Sequence, residues 1–402
     1  LTVPGRVVVV GASAAGLACA EGLRHMGFHG SLTLVGNEAH LPYDRPPLSK
    51  QLLSGAWGQE RLRLRSAEEL VPLNLDLRLG SPAVALDPKV REVVLGDGTP
   101  VGYDTLVVAT GVRPRRLPGT EGIAGVHVLR TLEDALAVRA VLAAGRSLVV
   151  VGGGFIGAEA AAVARELGCE VTLVTDQQVP LADAVGTEVG AMLADLHRDH
   201  GVNIVTGTAV EGVLAENGRV TGIRLADGGT IAATAVLVGI GTRPNIEWLA
   251  GSGLPLGNGI ECDATLYAGD GVWAAGDVAS WPEPVSGERR RIEHRTNAGE
   301  QALAVARNIL APSGEARALT TVPYVWSDQY DRKIQIYGRS RGADQVRIID
   351  GNLAERRFTA LYGREGRVVA ALGINLVRPL RALRRLVADR TPWDEALAAA
   401  AP

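Results

Sequence analysis

Cysteine is scarce in this chain of 402 residues: the only three, Cys19, Cys169 and Cys262, lie far apart. No C-x-x-C or C-x-x-x-x-C pair occurs, which excludes a zinc ribbon and a redox-active dithiol built on such a pair. Long apolar runs are missing as well. The longest are strand-sized, too short for a membrane-spanning helix. An excess of basic residues is also absent: 41 Lys and Arg against 44 Asp and Glu leave a net charge of −3, which predicts no general affinity for nucleic acid or an anionic membrane. The seven histidines show no ligand spacing and read as surface or satisfied core groups, so no metal site is expected. The first residues, Leu1 to Arg6, lack a signal-peptide layout, although no initiating Met is present, and a cytoplasmic protein is the expectation. Lysine is the last scarcity: only Lys50, Lys89 and Lys333 stand among the 41 basic residues.

What is present is an ordinary globular composition, 47% apolar and 21% charged, in a chain long enough for two or three domains. Two glycine-rich turns dominate it, each between an apolar strand and a small-residue helix. The first runs Val-Val-Val-Val-Gly11-Ala-Ser13-Ala-Ala-Gly16 and the second Leu-Val-Val-Val-Gly152-Gly-Gly154-Phe-Ile-Gly157. Each helix leads to a second strand ending at polar or acidic residues, Asn37 and Glu38 in one copy, Thr175 and Asp176 in the other. A pyrophosphate is held at a helix N-terminus by free N–H groups and the positive dipole end, and glycines let the backbone approach it. The pattern is that of dinucleotide binding, twice over.

Strands are expected at 6–10, 31–36, 83–86, 90–95, 106–110, 147–151, 170–175, 203–206, 219–225 and 231–233, and helices at 14–27, 132–144, 155–168 and 186–200. Asp97-Gly98 reads as a hairpin turn. A helix follows at about 298–311, with its free N–H groups beginning near Thr296 and Asn297. The tail changes character, with strands at 334–337, 346–350, 356–362 and 367–373 and a basic helix at 379–388. The fold class is α/β: a first nucleotide domain over 1–112 that resumes at 239–316, a second Rossmann-like domain inserted at 113–238, and a C-terminal α+β domain at 317–402.

Taken together, Gly11-x-Ser-x-x-Gly16, Tyr43-Asp-Arg-Pro-Pro-Leu-Ser-Lys50, Ala109-Thr-Gly111-x-Arg-Pro114, Gly152-Gly-Gly-Phe-Ile-Gly157-Ala-Glu159, Gly239-Ile-Gly-Thr-Arg-Pro-Asn245, Ala275-Gly-Asp277 and Trp326-Ser-Asp-Gln-Tyr330 resemble the NADH-dependent ferredoxin reductases of cytochrome P450 and Rieske oxygenase systems. These are flavoproteins on the glutathione-reductase fold, and the resemblance covers nearly the whole chain. It implies FAD in the first nucleotide site and NADH in the second. Gly11, Ser13, Ala14, Ala15 and Gly16 would then cradle the FAD pyrophosphate, with Asn37 or Glu38 on the adenosine ribose. Ala83 would line the adenine, and Arg45 and Arg130 would sit near the cofactor, Arg130 by the pyrophosphate. Ala109, Thr110, Gly111, Asp277, Arg295 and Thr296 complete the implied FAD contacts.

The same resemblance assigns Gly152, Gly154, Phe155, Ile156, Gly157 and Gly241 to NADH. The family usually has Glu where Thr175 stands, so Asp176 is expected to meet the free ribose hydroxyls. No Lys or Arg occurs from 175 to 180 to greet a 2′-phosphate, which favours NADH over NADPH. Lys50 is implied to pair with Glu159 beside the flavin; two unit charges about 4 Å apart at an effective dielectric near 20 interact by about 4 kcal/mol. Lys50, Glu159 and Trp326 are the implied catalytic group, Trp326 as the aromatic through which electrons leave. The implied partner is a [2Fe–2S] ferredoxin, steered by basic residues among Arg289 to Arg291, Arg332, Lys333 and Arg378 to Arg385, on a monomer or weak homodimer. A rubredoxin as acceptor, an NADH oxidase, and an NADH-sensing flavoprotein of the apoptosis-inducing type stay open alongside it.

Overall fold

The computed structural model describes residues 4–283 and 287–400. The chain divides into two compact units, one built from the residues up to Asp44, Glu60–Arg113 and Arg243–Thr321, the other from Arg45–Gln59, Pro114–Thr242 and the residues from Val322 onward. Among the described residues, no helix is long and apolar enough to cross a membrane.

The first unit centres on a six-stranded sheet in the order Tyr267–Gly269, Val272–Ala274, Thr105–Val108, Arg6–Val10, Ser31–Val35, Asp76–Arg78. Its pairings are parallel except at the Tyr267–Gly269 edge. Val7 to Val10 and Leu106 to Val108 are all buried, as a parallel strand covered on both faces requires. The helices Ala14–His25 and Arg295–Leu310 pack together over this sheet. They approach closely because Gly22 has no side chain: a Cβ there would stand 3.1 Å from the Ala306 Cβ.

The second unit repeats the plan, with a parallel sheet in the order Asn203–Val205, Glu170–Val174, Ser147–Val151, Ala235–Val238, Val126–His127. An antiparallel three-stranded sheet, Val210–Glu216, Arg219–Leu225 and Thr230–Ala232, joins its core. The tail forms a five-stranded antiparallel sheet, ordered Tyr324–Gln329, Arg332–Gly338, Arg367–Ile374, Arg357–Arg364, Gln345–Asn352. Alternation sends Ile334, Ile336, Phe358, Ala360 and Leu372 to one face, where Val185, Val189, Leu193 and Leu196 of the helix Ala182–Asp199 cover them. Leu361, Val368 and Ala371 line the other face under Leu380, Leu383 and Val387 of the helix Val377–Ala388. That helix is basic outside and apolar inside, with Arg378, Arg381, Arg384 and Arg385 exposed.

Several elements differ from expectation. The helix expected over 186–200 starts at Ala182, and Gly186, at φ 79° and ψ 171°, breaks its helical path after one turn. The late helix starts at Arg295, three residues before the apolar periodicity sets in at Ala298. The strands Val210–Glu216 and Tyr324–Gln329 and the helix Trp393–Ala400 have no counterpart in the sequence reading.

Cys19, Cys169 and Cys262 are free and buried. Burial pushes the Cys19 and Cys262 thiols up to about 12 and raises that of Cys169. A thiol-directed disulfide reagent at pH 8 is therefore expected to titrate none of the three in the folded protein and all three after unfolding, because thiolate and access are both withheld.

Candidate dinucleotide sites and buried ion pair

Both phosphate turns are built by backbone collisions that only glycine avoids. At Gly11, with φ +120°, a Cβ would fall 2.1 Å from the Ala109 carbonyl oxygen, and at Gly16 one would fall 1.9 Å from the Gly11 oxygen. The second turn repeats this: a Cβ on Gly152, φ +110°, would lie 2.3 Å from the Gly239 oxygen, and one on Gly157 would lie 2.3 Å from the Gly152 oxygen. Gly154 is different. It is exposed, and nothing stands within 4 Å of where its Cβ would be, so no contact within the chain requires a glycine there.

Ser13 and Gly154 are the N-caps of the helices Ala14–His25 and Phe155–Glu166, and neither makes a side-chain cap. Ser13 keeps an extended backbone, φ −132°, that any residue adopts, so its departure from glycine costs the turn no strain. The first-turn N–H groups of both helices are thus left for an anion. A helix end without a side-chain cap, behind a turn whose glycines let the backbone pack closely, stands in each unit and fits a dinucleotide pyrophosphate.

The strand ends sort themselves by exposure. Asn37 is exposed, whereas Glu38 is half-buried and accepts a hydrogen bond from the Tyr43 hydroxyl. Thr175 is buried, its hydroxyl accepting from the Gln177 N–H at 3.2 Å, while Asp176 is exposed. In the first unit Ala83 is half-buried and Ala109 buried at the strand end. Thr110 donates to the Asn245 carbonyl at 2.8 Å, and the Asn245 side chain donates back to the Thr110 carbonyl at 2.9 Å. Gly111, at φ +63°, accepts from the Asn245 N–H. Asp277 and Thr296 are half-buried, and Arg295 pairs with Asp44 at 2.5 Å. Further along that helix the buried Gln301 accepts from the Gly276 N–H at 2.7 Å and so braces the Ala275-Gly276-Asp277 turn, a role no motif flagged.

In the second unit, the 3₁₀ turn Pro46–Ser49 delivers Ser49 and Lys50 to Glu159, one turn into the helix Phe155–Glu166. Lys50 Nζ lies 3.0 Å from Glu159 Oε2, with only 9% and 4% of the two side chains exposed. The Ser49 hydroxyl donates to the same oxygen, and the Ser327 hydroxyl donates to Oε1 at 2.7 Å. Three donors thus converge on one buried carboxylate. The family resemblance implied the pair but not the serines.

A family model described as pyridine nucleotide-disulphide oxidoreductase matches residues 5–302, and one described as reductase C-terminal matches residues 324–401. Rhodocoxin reductase of Rhodococcus erythropolis is 38% identical over 388 residues, covering 96% of this chain and 90% of that one. The ferredoxin–NAD(+) reductase component of the p-cumate 2,3-dioxygenase system of Pseudomonas putida is 39% identical, covering 97% and 94%. The chain belongs to the ferredoxin–NAD(+) reductases of the pyridine nucleotide-disulphide oxidoreductase family. Among solved structures, the reductase in the covalent putidaredoxin reductase–putidaredoxin complex superposes with a TM-score of 0.92 at 35% identity, covering 98% of this chain and 99% of that one.

In this reductase Arg45 donates to the Arg130 carbonyl at 2.5 Å, which ties the Arg45 side chain to the backbone at Arg130. Phe155 is half-buried against the core that holds Ala158; Ile156 and Gly241 are exposed. Trp326 is half-buried and stacks on Tyr324, ring centroids 6.0 Å apart. Strand alternation turns it to the opposite face from Ser327, although it neighbours that partner of the ion pair in sequence. Of the basic groups considered for docking, Arg289 donates to the Cys262 and Ser280 carbonyls and Arg291 pairs with Glu293 at 2.7 Å, whereas Arg378, Arg381 and Arg384 are exposed.

Proposed function

We propose that the chain passes electrons from NADH, through FAD, to a [2Fe–2S] ferredoxin that feeds an oxygenase. The observation that carries this reading is the buried Lys50–Glu159 pair, seated one turn into the helix whose uncapped N-terminus suits the second dinucleotide. FAD, when bound, supplies hydride acceptance and release of electrons one at a time. The chain supplies position and charge. Gly11 to Gly16 and the first-turn N–H groups behind them hold one pyrophosphate, and Gly152 to Gly157 hold the other. Glu38, steadied by Tyr43, is the acceptor for the first ribose, and exposed Asp176 takes the second. A carboxylate there accepts from free ribose hydroxyls and repels a 2′-phosphate, which favours NADH. The helix Arg295–Leu310 offers its positive end to negative charge on the flavin, and Trp326 is the exit aromatic.

The test is anaerobic oxidation of NADH or NADPH by the FAD-loaded protein, read as cytochrome c reduction with and without a [2Fe–2S] ferredoxin. The expected result is a rate that rises steeply with ferredoxin and is at least about tenfold faster with NADH. Equal rates with and without ferredoxin would overturn the assignment of the acceptor.

A further inference from the structure

We propose that Ser327, Gln329 and His197 form a one-way hydrogen-bond chain that positions the Glu159 carboxylate, with His197 locked as its neutral Nε2–H tautomer. The donor inventory fixes each bond in turn. An ionised carboxylate only accepts, so the bond between Ser327 Oγ and Glu159 Oε1, 2.7 Å, consumes the hydroxyl proton. The hydroxyl oxygen is then free to accept, and Gln329 Nε2 donates to it at 3.2 Å. This fixes the amide: its oxygen must face the other way, toward His197 Nε2 at 3.1 Å. A carbonyl oxygen cannot donate, so the proton of that bond belongs to His197 Nε2. In the neutral ring Nδ1 is left as an acceptor, and the Tyr330 hydroxyl donates to it at 3.1 Å.

Every donor therefore points toward Glu159, from Tyr330 inward. Ser327, Gln329 and His197 are all 0% exposed, so no water competes for these bonds. At the outer end His200 stacks on the Tyr330 ring with centroids 3.7 Å apart. Arg165 and Glu166, from the helix Phe155–Glu166, act on the Tyr330 hydroxyl in opposite senses, and burial keeps that hydroxyl protonated. At the inner end the charges are Glu159 and Lys50. Burial, opposed by the Gln329 hydrogen bond and aided by His200, pushes His197 down to about 4, which keeps it neutral around pH 7. The amide in the middle holds its protons, so the chain orients rather than conducts. It pins Oε1 and leaves Oε2 to Ser49 and Lys50. These are positioning residues acting through Glu159. Their kinetic consequence rests on the electron-transfer reading, whereas the tautomer does not.

The experiment uses ¹⁵N-histidine-labelled holoprotein. The expected wild-type spectrum shows His197 as a neutral Nε2–H imidazole throughout the range from about pH 6 to 9. Gln329→Glu reverses the chain, because its carboxylate captures the Ser327 hydroxyl and draws His197 into titration within that range. In the same variant kcat for ferredoxin reduction falls about tenfold at unchanged KM for NADH. Ser327→Ala lowers kcat similarly, and Ser327→Thr restores it by returning the hydroxyl. A wild-type Nδ1–H tautomer, or a His197 that titrates near the ordinary imidazole value, overturns the proposal even if no variant folds. An unchanged kcat in both Gln329→Glu and Ser327→Ala overturns the positioning role. A wild type inactive with ferredoxin but showing the Nε2–H tautomer overturns only the electron-transfer reading.

Discussion

Lys50→Met is expected to destabilise the second unit by about 3–5 kcal/mol, and Lys50→Met combined with Glu159→Gln to recover most of that loss. The physical reason is asymmetry. Removing the ammonium alone strands a carboxylate whose side chain is 4% exposed, with the Ser49 and Ser327 hydroxyls as its only partners among the described residues. Neutralising both ends leaves no buried charge, and the amide introduced by Glu159→Gln can still accept from Ser327 and donate to Ser49. Urea denaturation of the two single variants and the double variant closes a cycle whose coupling energy measures the pair. Additive losses would show that the two charges do not sense each other. Activity should follow a different course: the double variant regains stability without regaining turnover, since the ammonium that the electron-transfer reading requires is still missing. Arginine is not expected to substitute at position 50, because a planar fork does not reproduce the compact ammonium that shares one carboxylate oxygen with a serine hydroxyl.

The second large effect separates glycines that the fold needs from one that a ligand needs. Gly157→Ala places a Cβ 2.3 Å from the Gly152 carbonyl oxygen and is expected to cost several kcal/mol of stability, read as a lower urea midpoint. In Gly154→Asp the new Cβ meets no protein atom within 4 Å and the residue sits at an N-cap, where aspartate is favoured. It should fold with wild-type stability and full FAD content, yet lose NADH reduction of the flavin by at least about a hundredfold. The new carboxylate would cap the same N–H groups that a pyrophosphate uses and would repel its charge. Stopped-flow flavin bleaching with increasing NADH reads this directly. Normal bleaching by Gly154→Asp would remove the second dinucleotide from this helix end.

These glycines also show why part of the molecule was legible in advance. A positive φ or a backbone contact near 2 Å leaves a local mark that one residue type satisfies, so Gly11, Gly16, Gly152 and Gly157 stand out in the sequence. The helix Ala182–Asp199 was legible in its apolar stripe but not at its start, because Gly186 interrupts the path and the single turn before it is too short to display a period. The strand Val210–Glu216 carries little signal: none of its residues is fully buried, so no strict alternation is imposed. In the tail, Ser327 and Gln329 alternate inward where a sequence reading expects apolar side chains on a sheet's covered face, and their partners lie on distant segments. Glu159 meets Ser327 across 168 positions and His197 meets Gln329 across 132. Polar contacts of that separation are chosen by tertiary packing, and no spacing rule anticipates them. His197, read from sequence as a surface or satisfied core group, is the latter, with both ring nitrogens engaged.

The lysine economy of the chain has a use at the bench. Lys50 is enclosed with its carboxylate partner, while Lys89 and Lys333 are exposed. Amine-directed coupling thus finds two lysine addresses, one in the turn between the strands Ala83–Asp87 and Glu92–Leu95, the other on the strand Arg332–Gly338. A dye, a bead or an electrode linked through either lysine leaves the ion pair untouched, and the many arginines are invisible to the same reagent. Replacing one of the two by arginine would fix the choice of lysine address, so that protein immobilised through it presents one orientation to whatever diffuses up to it.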